Sequence, residues 1–156
     1  MDQGPLGRLI YEPTPRQRIF HLSGSKYRLY GGAAGGGKSH ALRIELVRAA
    51  SFVPRFPCLL LRESFPELQQ HITRFREDIP SELYRWNERE KLATFYRSGS
   101  SLRFGYTSGE GDLQRFQTDE YGAIAFDELT HFTHYQRAFM RPRYRTTSGY
   151  PSRMPG

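Results

Sequence analysis

Residues 31–39 read Gly-Gly-Ala-Ala-Gly-Gly-Gly-Lys-Ser, and no other stretch restricts the fold so strongly. Glycine lacks Cβ, so a run of glycines can curl tightly and turn successive backbone N–H groups inward. Residues 38–51 that follow contain no proline or glycine, and Leu42, Leu46, Ala49 and Ala50 recur at helical spacing. Residues 27–30 upstream predict a short strand feeding the loop. A strand, a tight glycine loop and a helix in succession form one unit of α/β architecture.

The rest of the chain extends that pattern. Residues 1–15 form an irregular lead-in with Pro5, Pro13 and Pro15, and residues 16–22 predict a short helix. Residues 58–61, Cys-Leu-Leu-Leu, predict a strand buried on both faces, as parallel strands between helices are. Ser64 and Glu67 have capping-box spacing, and Leu68, Ile72 and Phe75 make one helix face behind them. Residues 92–97 and 101–107 flank Ser98-Gly99-Ser100 and predict a hairpin, with residues 108–112 as a polar loop. Residues 123–126, Ala-Ile-Ala-Phe, predict another apolar strand, and Thr133 can cap a last helix that stops near Pro142. The expected fold is α/β, a mainly parallel sheet flanked by helices over residues 16–156. The hairpin would be an insertion or an antiparallel extension.

Gly32, Ala33, Ala34, Gly35, Gly36, Gly37, Lys38 and Ser39 fit G-x-x-x-x-G-K-[ST], the phosphate-cradling loop of P-loop NTPases. Its backbone N–H groups and the positive end of the next helix would face a polyphosphate. Lys38 would reach the β and γ phosphates, and the Ser39 hydroxyl would ligate Mg²⁺. Asp127 and Glu128 follow the strand at residues 123–126, where carboxylates at a strand's C-terminal end suit a Walker B site. Asp127 would hold Mg²⁺ within hydrogen-bonding reach of Ser39, and Glu128 would polarise the attacking water. Gln17 offers an amide that can read an adenine edge, or is simply a surface helix glutamine. His131 and His134 lack the further ligands that a metal site needs.

Bulk properties agree with a nucleotide- and phosphate-handling domain. The net charge is +7, and only Lys26, Lys38 and Lys91 of the 23 basic residues are lysines. The remaining arginines have a planar fork suited to phosphate. A solvated basic surface would have the same charge. The longest apolar runs are far too short to span a bilayer. Cys58 is the lone cysteine, so a reducing, cytoplasmic setting is the simplest reading.

Taken in order, residues 14–17, 30–39, 60–68 (LLRESFPEL), 99–104 (GSSLRF) and 113–130 (LQRFQTDEYGAIAFDELT) resemble the ATPase domain of the large terminase subunit of tailed bacteriophages. The resemblance implies a RecA-like (ASCE) P-loop ATPase using ATP and Mg²⁺ to drive double-stranded DNA into a capsid. It also implies a ring docked on a portal protein, a small terminase subunit as partner, and work in the host cytoplasm. By position, Gln17 matches the adenine-contacting glutamine, and Asp127 and Glu128 the metal-holding and catalytic carboxylates. Arg115 falls where some members place an arginine acting on a neighbour's ATP, with Arg143 and Arg145 as alternatives; it could equally be a surface arginine. Three departures accompany the likeness. Ala33 and Ala34 stand where many terminases carry a loop arginine. Thr146-Thr147 only superficially resembles the coupling motif, since residues 151–154 are expected to begin the next strand. No nuclease carboxylate cluster follows, so a fragment is expected. A helicase-like ATPase and a nucleotide-binding fragment without turnover remain as alternatives.

Overall fold

The computed structural model describes residues 11–23 and 37–144. The predicted strand at residues 27–30, the loop residues Gly32, Ala33, Ala34, Gly35 and Gly36, and Arg145, Thr146, Thr147 and residues 151–154 lie outside them.

Helix α1 (Pro15–Leu22) is followed by α2 (Lys38–Phe52), β1 (Pro57–Arg62) and α3 (Phe65–Asp78). Next come β2 (Tyr84–Asn87), β3 (Leu92–Phe95), β4 (Ser101–Tyr106), β5 (Ala123–Phe126) and α4 (His134–Met140). The sheet runs β2-β3-β4-β1-β5. Strand β1 is parallel to both β4 and β5, whereas β3 is antiparallel to its two neighbours, β2 and β4. The protein is therefore α/β, but its sheet is mixed rather than mainly parallel. Short connections cause this, because neighbouring strands joined by a tight turn must run antiparallel. The predicted hairpin is β3–β4, an antiparallel extension, and Gly99 turns it with φ 70°.

Strand β1 has its predicted burial on both faces. Cys58 and Leu60 enter one apolar cluster with α2, α3 and the aromatic side chains Phe75, Tyr84, Phe95 and Phe104. Leu59 and Leu61 enter a second cluster with Leu113, Phe116, Phe132 and Met140. The sheet is thus sandwiched, with α2 and α3 on one side. The other side carries α4 and a 3-10 segment, Glu110–Phe116, that partly overlaps the predicted polar loop.

Helix ends show two departures of interest. The predicted capping box at Ser64 does not close: Ser64 Oγ accepts no helix N–H and instead donates to Glu67 Oε2 at 2.9 Å. Glu67 is meanwhile held by Arg62 at 3.3 Å, which draws both partners toward β1. Full boxes form instead at Thr14–Gln17 and at Thr133–Gln136, the second where the sequence placed a cap. In both, the glutamine Nε2 is left over and reaches another element: Gln17 donates to the Gly37 carbonyl and Gln136 to the Thr107 carbonyl.

Phe75 sits at the centre of the first cluster, 4.8 Å from the Tyr84 ring and 5.3 Å from Phe104. Phe75→Ala is expected to lower the unfolding free energy by about 3–5 kcal/mol in urea titrations. Tyr96→Ala, at an exposed ring, is expected to change it by about 0.5 kcal/mol or less.

Candidate functional site

The C-terminal ends of β1 and β5 converge on the first turn of α2. Asp127 immediately follows β5, and its N–H donates to the Leu61 carbonyl at 3.0 Å, so the sheet continues up to the carboxylate. Ser39 is the second residue of α2. Its Oγ donates to Asp127 Oδ2 at 2.8 Å, joining residues 88 apart in the chain.

Two groups that sequence reading missed share that oxygen. His71 Nε2 lies 2.6 Å from Asp127 Oδ2, and Arg62 Nη1 lies 3.5 Å from it. Behind the histidine, Arg43 Nη1 stands 3.1 Å from His71 Nδ1. A guanidinium has no acceptor, so Nδ1 accepts and Nε2–H donates to the carboxylate. Arg43, His71 and Asp127 are all buried. Burial alone would raise the Asp127 pKa. The hydrogen bonds from the His71 imidazole and the Ser39 hydroxyl, together with the Arg62 charge, outweigh it and hold the group below the usual carboxylate range. A signal for His71 existed in the sequence, since it is a polar residue inside the apolar stripe Leu68, Ile72 and Phe75. Arg43 lies one turn beyond Ser39 on the same helix.

Gly37 closes the glycine run at φ 68°, and a Cβ there would stand 2.5 Å from Gln17 Nε2. Both features demand glycine. Gln17 is buried, not a surface residue, and its amide is occupied on both sides, accepting from Thr14 N at 2.9 Å and donating to Gly37 O at 3.0 Å. It therefore ties α1 to the last residue of the loop. Lys38 opens α2.

Glu128 adopts the left-handed conformation, φ 55° and ψ 61°, and is exposed while Asp127 is buried. For a residue with a Cβ this backbone costs on the order of 1 kcal/mol or more. Arg115 is half-exposed, ion-paired to Asp112 at 3.1 Å and 4.7 Å above the Tyr106 ring. Arg143 donates to the carbonyls of Phe116, Phe139 and Gln117, a set of bonds that it would have to break to reach a neighbour. His131 does meet carboxylates, those of Glu63 and Glu67, but Glu67 is already engaged by Arg62 and Ser64, and His134 is not in the group.

A hydroxyl and a carboxylate held together at the carboxyl end of a sheet, beside a helix N-terminus, are hard oxygen ligands suited to Mg²⁺. The class this defines is an α/β domain with its candidate site at the C-terminal edge of the sheet. Residues 29–149 match the family described as terminase large subunit, T4likevirus-type, N-terminal, and the chain belongs to that family. The family points to a role in phage DNA packaging. Comparison with curated proteins and with solved structures finds no match.

The depressed Asp127 pKa predicts a pH dependence of stability. Because the folded value lies below the unfolded one, the stabilisation is fully present above the unfolded pKa and is lost as pH falls through the folded value. The difference in unfolding free energy between the parent and Asp127→Asn should therefore narrow as pH drops below about 4. Urea unfolding across that range measures it, and a constant difference would contradict the assignment.

Proposed function

We infer that this chain is the ATP-binding and ATP-hydrolysing motor domain of a DNA-packaging terminase, with a P-loop at residues 32–39 and a Walker B carboxylate at Asp127. One observation carries the reading, the Ser39 Oγ to Asp127 Oδ2 hydrogen bond at 2.8 Å. It joins the end of a glycine-rich phosphate-loop motif to the end of an apolar strand, the pairing that Mg²⁺-dependent nucleotide hydrolysis requires. The family match favours packaging over a helicase-like role. On this reading the substrate is ATP, and the partners are double-stranded DNA, the portal protein and a small terminase subunit. The working form is a homo-oligomeric ring in the host cytoplasm.

The residues divide the work by chemistry. Gly32 to Gly37 supply backbone N–H donors, Lys38 supplies the cation for the β and γ phosphates, and α2 presents its positive end. Ser39 and Asp127 would hold Mg²⁺, which supplies charge neutralisation on the phosphate oxygens. Glu128, exposed and turned outward by its left-handed backbone, orients the attacking water and accepts its proton. Gln17 borders the loop where an adenine edge could exchange for its present partners. With Ala33 and Ala34 in the loop, a further cation must come from elsewhere. Of Arg115 and Arg143, Arg115 is the better placed, since its side chain is half-exposed and held by a single ion pair to Asp112 and by Tyr106, while Arg143 is bound to three carbonyls.

Lys38→Ala is expected to weaken Mg²⁺-ATP binding by roughly 10- to 100-fold, as loss of a charge-assisted hydrogen bond does. Equal calorimetric affinities would remove the loop assignment. Glu128→Gln should leave ATP affinity within about threefold and lower turnover by roughly 10²–10⁴-fold in the assembled ring. Parental turnover would exclude Glu128 from the chemistry. In the same ring, Arg115→Ala should cost about 10³-fold or more in turnover and be rescued by mixing with Glu128→Gln subunits. No rescue at any ratio would mean that Arg115 does not act across subunits.

A further inference from the structure

The row Arg43–His71–Asp127–Ser39 extends the Ser39–Asp127 pair with two buried residues, Arg43 and His71, that no sequence motif accounts for. Its links are 3.1, 2.6 and 2.8 Å long, and it draws on α2 twice, on α3 and on the residue after β5. The hydrogen bonds from Ser39 and His71 both end on one carboxylate oxygen, Oδ2, the oxygen that Arg62 also approaches. Among the described residues no hydrogen bond reaches Oδ1.

We propose that His71 is a positioning residue for Asp127: it pins Oδ2 from α3, and Arg43 holds the imidazole in the tautomer that does so, leaving Oδ1 to serve the metal. Three features support this role over a merely structural one. A buried carboxylate needs partners, but the Ser39 hydroxyl and Arg62 already supply a hydrogen bond and a countercharge, so the histidine adds orientation. Its donor is committed by chemistry, since Arg43 can only donate to Nδ1. Finally, Arg43 and Ser39 sit one turn apart on α2, so the element that opens with Lys38 contributes to both ends of the row. A ligand carboxylate held in this way has its orientation and basicity set by its outer partner. This role rests on the nucleotide reading above, because the metal in question is the one that accompanies ATP.

The test separates metal handling from nucleotide binding. ATP affinity is measured for the parent, His71→Leu, His71→Gln and Arg43→Met, first with the metal chelated and then across a Mg²⁺ titration. His71→Leu should raise the Mg²⁺ concentration for half-maximal enhancement of ATP binding by roughly tenfold or more, the usual cost of losing an outer partner. Metal-free affinity, which depends on the glycine loop and Lys38, should stay within about twofold of the parent. His71→Gln retains an N–H donor and should recover part of the shift. Arg43→Met leaves the imidazole in place with its tautomer uncommitted and should fall between the two. An unchanged Mg²⁺ requirement in His71→Leu would overturn the proposal. So would loss of metal-free binding in both His71→Gln and Arg43→Met, which would mark a structural role only. A parent that binds no ATP under any condition would instead remove the nucleotide reading, and this role with it.

Discussion

A buried carboxylate dictates how the helices of this domain meet its sheet. Asp127 is almost wholly shielded from water, and an ionised carboxylate in such a place is tolerated only with hydrogen bonds and a countercharge. Those partners arrive from three directions: Ser39 from the first turn of α2, His71 from α3 and Arg62 from the end of β1. Because the three partners come from different elements and meet on one oxygen, the arrangement holds those elements to one mutual geometry. The apolar clusters supply the bulk of the burial, but a sheet and helices packed by apolar contacts alone can slide. A row of directional polar contacts at 2.6–3.1 Å cannot slide without breaking.

Glutamine at the third position of two helices serves a related purpose. In each capping box the side-chain oxygen satisfies the cap residue's N–H, and the amide nitrogen is free to bond elsewhere. Gln17 uses it to hold the Gly37 carbonyl, and Gln136 to hold the carbonyl of Thr107 just past β4. Helices α1 and α4 are short, eight and seven residues, and short helices gain little from their own hydrogen bonds. Each is fastened instead to a loop at the edge where the candidate site lies. Gly37 must be glycine both for its backbone angle and because the Gln17 amide fills the space of a Cβ.

What the sequence made legible is what local pattern can encode. Residues 58–61 announced a doubly buried strand because all four are apolar, and they occupy both core clusters. The Ser98-Gly99-Ser100 turn announced β3–β4, and Thr133 announced α4. Strand β2 passed unnoticed, since Tyr84-Arg85-Trp86-Asn87 alternates but is only four residues long and half charged or polar. The capping box at Ser64 was legible but wrong, because Arg62 competes for Glu67 across the β1–α3 junction. Ser39 and Asp127 were each legible as a metal ligand, and their expected meeting across 88 residues is made by the sheet order. His71 and Arg43 were not read because their partners come from other elements: a histidine among Leu68, Ile72 and Phe75 shows its purpose only when Asp127, the residue after β5, is brought to it. Gln17 was read as a base-reading or surface residue, and its capping role was missed although Thr14 precedes it by three positions.

The account turns on Ser39 and Asp127 acting as one metal-holding unit. A double-mutant cycle with Ser39→Ala and Asp127→Ala, scored on the Mg²⁺-dependent part of ATP affinity, tests that directly. Each single substitution should remove most of the metal-dependent gain, and the double substitution should lose little more, giving a coupling of about 1 kcal/mol or more. Losses that simply add, or single variants that keep the full Mg²⁺ effect, would contradict the claim that these two residues share one ion.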